Sequence, residues 1–452
     1  MIRALALAAT VLASCMPVEP PAVQRALPAA ALPDIRRFEG APAPTPAVPN
    51  AQVARDFMEL SFALETGRTI PVFTRFEGPV TVGIEKVGDA EPPVTLSADL
   101  DDLIARLRRE ARIDISRAAA GEAPSITVSA LPRETLQRYV PGAACFVVPR
   151  VTGWRDYLAK RFGGTLDWTT LRTRRRASVF LPEDVSPQEV RDCLHEEVAQ
   201  ALGPLNDLYR LPHSVFNDDN VHVVLTDRDM TILRATYDPA LRSGMSPAEV
   251  ARRLPDVLAR INPRGGIPDT GAVRRSSPAW TEAIRGALAP RAEARVRLRD
   301  AERAVSLSRA AGWRDERAAF SLLALGRAAL PVDGGVAIGA FLEAAEGYRA
   351  AGGSELHGAQ VALQLGAFAV SSGDPETALR LVDRAIPAAA DAQNAVLLST
   401  LLLIRAEAVA ATGDAEDAAQ VRREGMAWGR YAWGDPMLAV RAAEVAGLAP
   451  GA

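Results

Sequence analysis

Lysine is almost missing from this chain: of 52 basic residues only Lys86 and Lys160 are lysine, and histidine occurs just four times. A nucleic-acid-binding surface needs an excess of cations, and a net charge of −3 over 452 residues provides none. The arginine that stands in for lysine comes with abundant alanine, so it reads as compositional bias and not as a phosphate-binding signal. Past the first dozen residues there is no apolar run of the roughly 20 residues that a transmembrane helix needs. Glycine-rich phosphate loops are missing too, because Gly78, Gly83, Gly163-Gly164 and Gly265-Gly266 lack the spacing of nucleotide motifs. No Ser sits in a Gly-x-Ser-x-Gly elbow.

What is present begins at the N-terminus, where Arg3 precedes the apolar run Ala4–Ala9, continued by Val11 and Leu12. That run is too short for a permanent span and has the form of a signal-peptide core. It ends in Leu12-Ala13-Ser14-Cys15, which resembles the lipobox of bacterial lipoproteins. The resemblance implies a signal peptide over 1–14, lipidation of Cys15 and a membrane partner through that lipid. The alternative is an ordinary cleaved signal with a chance Cys. Met16 follows the Cys in place of Asp, which favours the outer membrane over the inner. The expected location is the cell envelope, facing the periplasm. Residues 15–50, rich in Pro and Ala as in Ala41-Pro42-Ala43-Pro44-Thr45-Pro46, read as an extended, semi-rigid linker.

With Cys15 assigned to lipid, Cys145 and Cys193 remain in an oxidising compartment, and a disulfide between them is expected. Two buried free thiols are the alternative. Residues of about 65–262 mix strands, expected at 71–76, 80–84, 125–128, 145–148 and 177–181, with helices at about 97–112, 187–203, 227–237 and 247–261. Ser186-Pro187-Gln188-Glu189 has the N-cap Ser, first-position Pro and third-position Glu of a capping box. After about Ser277 the chain is Ala-rich with helical spacing. Two turns there look alike, Ser371-Ser372-Gly373-Asp374 and Ala411-Thr412-Gly413-Asp414. They resemble tetratricopeptide-type repeats at a period of about 40 in place of about 34. A plain helical bundle is the alternative.

The most informative stretch is Cys193-Leu194-His195-Glu196-Glu197-Val198-Ala199-Gln200-Ala201-Leu202-Gly203-Pro204-Leu205-Asn206-Asp207. His195-Glu196 fails as a zinc-protease start, since Ala199 stands where the second His belongs. One residue on, Glu196 and Gln200 occupy the i and i+4 ligand positions, Glu197 that of the general base, Gly203 the turn and Asn206 the third ligand. On a helix, Leu194, Val198, Ala201 and Leu205 make an apolar stripe opposite Glu196, Gln200 and Gly203.

This segment is similar to the active-site helix of metzincin-type metallopeptidases, with Glu, Gln and Asn replacing three His. Phe216 in Pro212-His213-Ser214-Val215-Phe216-Asn217 takes the place of the family's Met in its turn. Leu225–Tyr237 resembles the closing helix. With Arg75-Phe76-Glu77-Gly78-Pro79-Val80, the pattern is also similar to an uncharacterised bacterial family, domain of unknown function 2927. The resemblance implies an α+β zincin-like (metzincin-like) domain over 51–264. The helical pattern adds an all-α, tetratricopeptide-like domain over 265–452.

Glu196, Gln200 and Asn206 offer one anionic and two neutral oxygens, a set better suited to calcium, magnesium or manganese than to zinc. Loss of the metal is the simpler expectation, with no cofactor and Glu197 left without an activated water. A divalent metal at this set stays open, as does one held by His195, His213 and His222. Two functions follow: an envelope scaffold that binds a protein or peptide partner, or a periplasmic metal-dependent hydrolase using Glu197 as general base.

Overall fold

The computed structural model describes residues 32–269, 271 and 275–450. The signal peptide and the proposed lipidation site Cys15 lie outside the described residues. The chain forms two compact units, residues 39–274 and a second made of 275–452 with the segment ending at Phe38. As expected, a region of mixed strands and helices is followed by an all-helical one. No helix of the described residues is long and apolar enough to cross a membrane.

The first unit is built on a five-stranded sheet of order β2-β1-β3-β5-β4. Its strands are β1 (Val80–Lys86), β2 (Ile115–Arg117), β3 (Ile126–Leu131), β4 (Phe146–Pro149) and β5 (Ala177–Pro182). All neighbours pair parallel except β4, which runs antiparallel to β5 with Phe146 opposite Phe180. Every residue of β3 and β5 is buried, which is why these strands read as nearly continuous apolar runs.

One face is covered by α2 (Leu96–Glu110), whose Leu96, Leu100, Leu103, Ile104 and Leu107 form a single helical stripe. With it pack α1 (Asn50–Phe62), α5 (Pro187–Leu202), α6 (Asp227–Thr236) and α7 (Pro247–Ile261). A second core gathers Trp154, Tyr157 and Phe180 with α3 (Arg133–Tyr139) and α4 (Trp154–Lys160), the Trp154 and Phe180 rings 5.3 Å apart.

Residues 71–76 form no strand. Phe73 exchanges backbone bonds with Gly244 and Met245, and Phe76 makes only an isolated bridge to Arg174. The β-branched and aromatic residues there serve burial in the core, while the backbone is satisfied by the loop before α7. Arg75 in the same segment donates to the carbonyls of Thr236 and Asp238 at 2.9 and 3.0 Å and so closes the end of α6.

Cys145 and Cys193 form the expected disulfide, with Cα atoms 5.9 Å apart, fastening the start of β4 to α5. Asp56 of α1, fully buried, accepts from both Arg210 and Arg228, and Arg210 reaches Glu59 at 2.9 Å. This network ties α1 to the chain after α5.

The second unit comprises α8 (Pro278–Leu288), α9 (Ala294–Ala310), α10 (Glu316–Ala329), α11 (Gly334–Ala350), α12 (Glu355–Ser371), α13 (Pro375–Asp391), α14 (Ala395–Ala411) and α15 (Ala415–Ala446), the last kinked at Gly434. Each helix packs on the next, and α12 also touches α14. The two look-alike turns share one construction. Gly373 and Gly413 take φ of +74° and +96°, and Asp374 and Asp414 cap the following helix through the amides of Thr377 and Asp417. In the first turn, Asp374 N donates to Ala369 O and Gly373 N to Val370 O, a Schellman closure.

The Pro-rich segment is held at both described ends. Arg430 donates to Pro33 O, and Phe38 stacks on Trp428 with centroids 4.3 Å apart. Further on, Thr45 donates to Asp227 at the start of α6.

Candidate functional site

Helix α5 carries the candidate site, and its start is fixed locally. Ser186 Oγ accepts from Glu189 N at 3.2 Å, while Glu189 Oε2 accepts from Ser186 N at 2.9 Å, completing the expected capping box. Val190, Leu194, Val198 and Ala201 fasten the helix to the core.

The other end is closed by side chains from elsewhere. The buried Arg174 guanidinium donates to the carbonyls of Gln200, Ala201 and Gly203, and Tyr237 Oη donates to Leu202 O at 3.2 Å. These take up carbonyls that the last turn leaves without helical partners. A cation also suits the negative end of the helix dipole. Burial lowers the Arg174 pKa to about 10, so it stays charged. At Gly203 a Cβ would sit 2.9 Å from Thr236 Cγ2, so only glycine lets α5 end this close to α6.

Between these ends the helix buries ionisable groups. Glu197 and Gln200 are 5% and 8% exposed, and Glu196 is partly buried beside them. Gln200 Nε2 lies 3.5 Å from Asp207 Oδ2, and Glu65, on the turn after α1, stands near enough to raise the Asp207 pKa. Asn206 turns elsewhere: its Nδ2 donates to Glu59 O at 3.2 Å. The structure therefore gathers Glu196, Glu197 and Gln200 with Asp207 and Glu65, and it directs the Asn206 amide to the backbone of α1.

Carboxylates so placed resist ionisation. Burial, reinforced by Glu65 and Asp218, raises Glu196 to about 7. Glu197 is pushed well above the usual carboxylate range by burial, then by Glu196 and Glu65. Asp207 is raised in the same direction by burial and by Glu196 and Glu65. Neighbouring negative charges in a medium poor in water disfavour one another, so each of these three carboxyls resists ionisation.

The histidines do not join this group. His195 accepts from Leu225 N through Nδ1 at 3.2 Å, and burial holds it neutral. The His213 and His222 rings lie 6.0 Å apart. Among the described residues, no group of three or more His, Cys, Asp or Glu is arranged to hold a metal ion.

Residues 50–256 match the model of the DUF2927 family, described as protein of unknown function. No curated protein and no solved structure matches the chain. The DUF2927 match takes in the sheet and the carboxylate group on α5, and ends before the helical unit begins.

Within the DUF2927 domain, Phe216 is fully buried where the resemblance places a Met-type turn. That turn is fixed by Asp229, which accepts from Ser214 Oγ and, at 3.1 Å, from Val215 N. Sequence reasoning passed over Glu65, Asp207 and Arg174 as members of the site. Asp207 had a signal, since it adjoins Asn206 in the same motif. Glu65 and Arg174 had none, because each comes from a loop remote in sequence.

Proposed function

We propose that this chain is an envelope lipoprotein anchored at Cys15, whose DUF2927 domain is a metzincin-like scaffold that has lost its chemistry. In this reading the tetratricopeptide-like helical unit supplies the surface for a protein or peptide partner. The order of parts supports the metzincin likeness: strand β5, helix α5 with its Glu-Glu-x-x-Gln core, the Gly203 turn, the buried Phe216 turn and the closing helix α6. The lipobox-like Leu12-Ala13-Ser14-Cys15 supports the anchor.

One observation carries the loss of chemistry. Burial, then Glu196 and Glu65, push the carboxyl of Glu197, at the position of the general base, well above the usual carboxylate range, which disfavours the ionised form that a base needs. A protonated carboxyl cannot take a proton from water. The residues at the three ligand positions are also a poor zinc set, and one of them, Asn206, is engaged with Glu59 O.

The rival reading, a hydrolase, has one observation in its favour: Glu196 at about 7 is tuned to the range in which general acids and bases work. Two measurements separate the readings. The full chain, dialysed against zinc or manganese and analysed for metal, is expected to retain less than stoichiometric ion. Hydrolysis of casein and of peptidoglycan is expected at background, equal in wild type and Glu197→Gln. Stoichiometric metal lost in Glu196→Ala or Gln200→Ala, or turnover lost in Glu197→Gln, would overturn the scaffold reading.

A further inference from the structure

Away from the carboxylates, the chain between β4 and β5 forms an open cavity of about 380 Å³ lined by Arg150, Thr170, Arg172, Thr173, Arg175 and Arg176. Four of the six lining residues are arginine and none is acidic. The sequence shows them as part of a general arginine excess. The fold brings Arg150, which follows β4, against the Leu171–Arg176 run that leads into β5, with Arg150 N donating to Arg176 O at 2.8 Å.

Arg150 is held in place. Its backbone has φ of +62°, and its guanidinium donates to Thr165 O at 3.1 Å, Thr170 Oγ1 at 2.6 Å and Thr170 O at 2.8 Å. A guanidinium has five donors, so part of this one remains for a ligand. Arg176 donates to Thr152 Oγ1 at 2.9 Å. Arg172 and Arg175 are exposed and make no hydrogen bond or ion pair among the described residues. The acids nearby are engaged by other cations: Asp156 by Lys160 at 2.9 Å, though it also feels Arg176, and Asp167 by Arg68 at 2.7 Å.

We propose that this cavity is a binding site for a phosphate or pyrophosphate group carried on a larger molecule. Guanidinium groups do not lose their protons in proteins, so four of them around one cavity repel until an anion enters. A single carboxylate would leave most of that charge uncompensated. A phosphate brings about −1.5 to −2 and three acceptor oxygens, which planar guanidinium forks bind in pairs. The cavity is open to solvent and has more room than one phosphate needs. The same Arg-rich run sends Arg174 inward to the end of α5, so the site is anchored to the helix that bears the carboxylates. The proposal does not depend on whether those carboxylates are silent or catalytic.

The test uses the full chain and the double variant Arg172→Gln with Arg175→Gln, both exposed positions. Titration calorimetry with inorganic pyrophosphate at low ionic strength is expected to show saturable binding, weakened tenfold or more in the double variant. Unchanged circular dichroism confirms that both proteins are folded. Phosphatidylglycerol vesicles form the second arm. Co-sedimentation that pyrophosphate displaces places the phosphate on a lipid, whereas pyrophosphate binding without vesicle binding places it on a soluble molecule, and both support the site. No binding of either probe, or binding that the double variant retains in full, overturns it.

Discussion

The two units place their polar side chains in opposite ways. In the helical unit the polar side chains at helix starts are small and repeated: Asp374, Asn394 and Asp414 each accept from an amide three residues on, and each removes one of the helix's open donors. In the DUF2927 domain, α5 buries Glu197 and presses Glu196, Asp207 and Glu65 together without a cation among their named neighbours. The first arrangement stabilises. The second costs stability wherever those carboxyls must ionise.

The comparison breaks most visibly at Arg174. Arg174→Met leaves the carbonyls of Gln200, Ala201 and Gly203 buried without partners, at about 1–3 kcal/mol each before relaxation. A loss of about 3–5 kcal/mol in the DUF2927 transition is expected by urea unfolding, with the helical transition unmoved. Next comes the disulfide. Cys145→Ala with Cys193→Ala should lower the stability of the same domain by about 3–4 kcal/mol, because the denatured chain regains the freedom of a 48-residue loop. Dithiothreitol should reproduce that effect in wild type and leave the double variant unchanged.

A smaller effect carries a sign. Glu196 has its folded pKa raised from 4.5 to about 7, so its contribution is fully present below about 4.5 and is lost as pH rises through about 7. The DUF2927 transition should therefore move to lower urea between pH 5 and pH 8, and Glu196→Gln should flatten that slope. Smallest of all, Asp374→Ala or Asp414→Ala should cost the helical unit about 1 kcal/mol through a lost cap, read as a shift of its urea midpoint alone.

What the sequence made legible was local or periodic. The capping box at Ser186, the turns at Gly373 and Gly413, and strands β1, β3, β4 and β5 each announce themselves within a few residues. The expected disulfide followed from cysteine count. The short helices α3 and α4 were hidden because Arg133–Tyr139 and Trp154–Lys160 bury one or two residues each, too few to show a period. Segment 71–76 misled because aromatic and β-branched residues suit a loop buried in the core as well as a strand. The carboxylate group was half legible. Glu196, Glu197 and Gln200 share one motif, whereas Glu65 joins from the turn after α1, more than a hundred residues away.

The scaffold reading requires Glu197 to be a neutral carboxylic acid at pH 7. Infrared difference spectroscopy of the carboxyl C=O stretch, comparing wild type with Glu197→Gln at pH 7, tests it directly. A protonated-carboxyl band present in wild type and missing in the variant is the predicted result. Identical spectra in that region, with Glu197 appearing only among the ionised carboxylates, would contradict it.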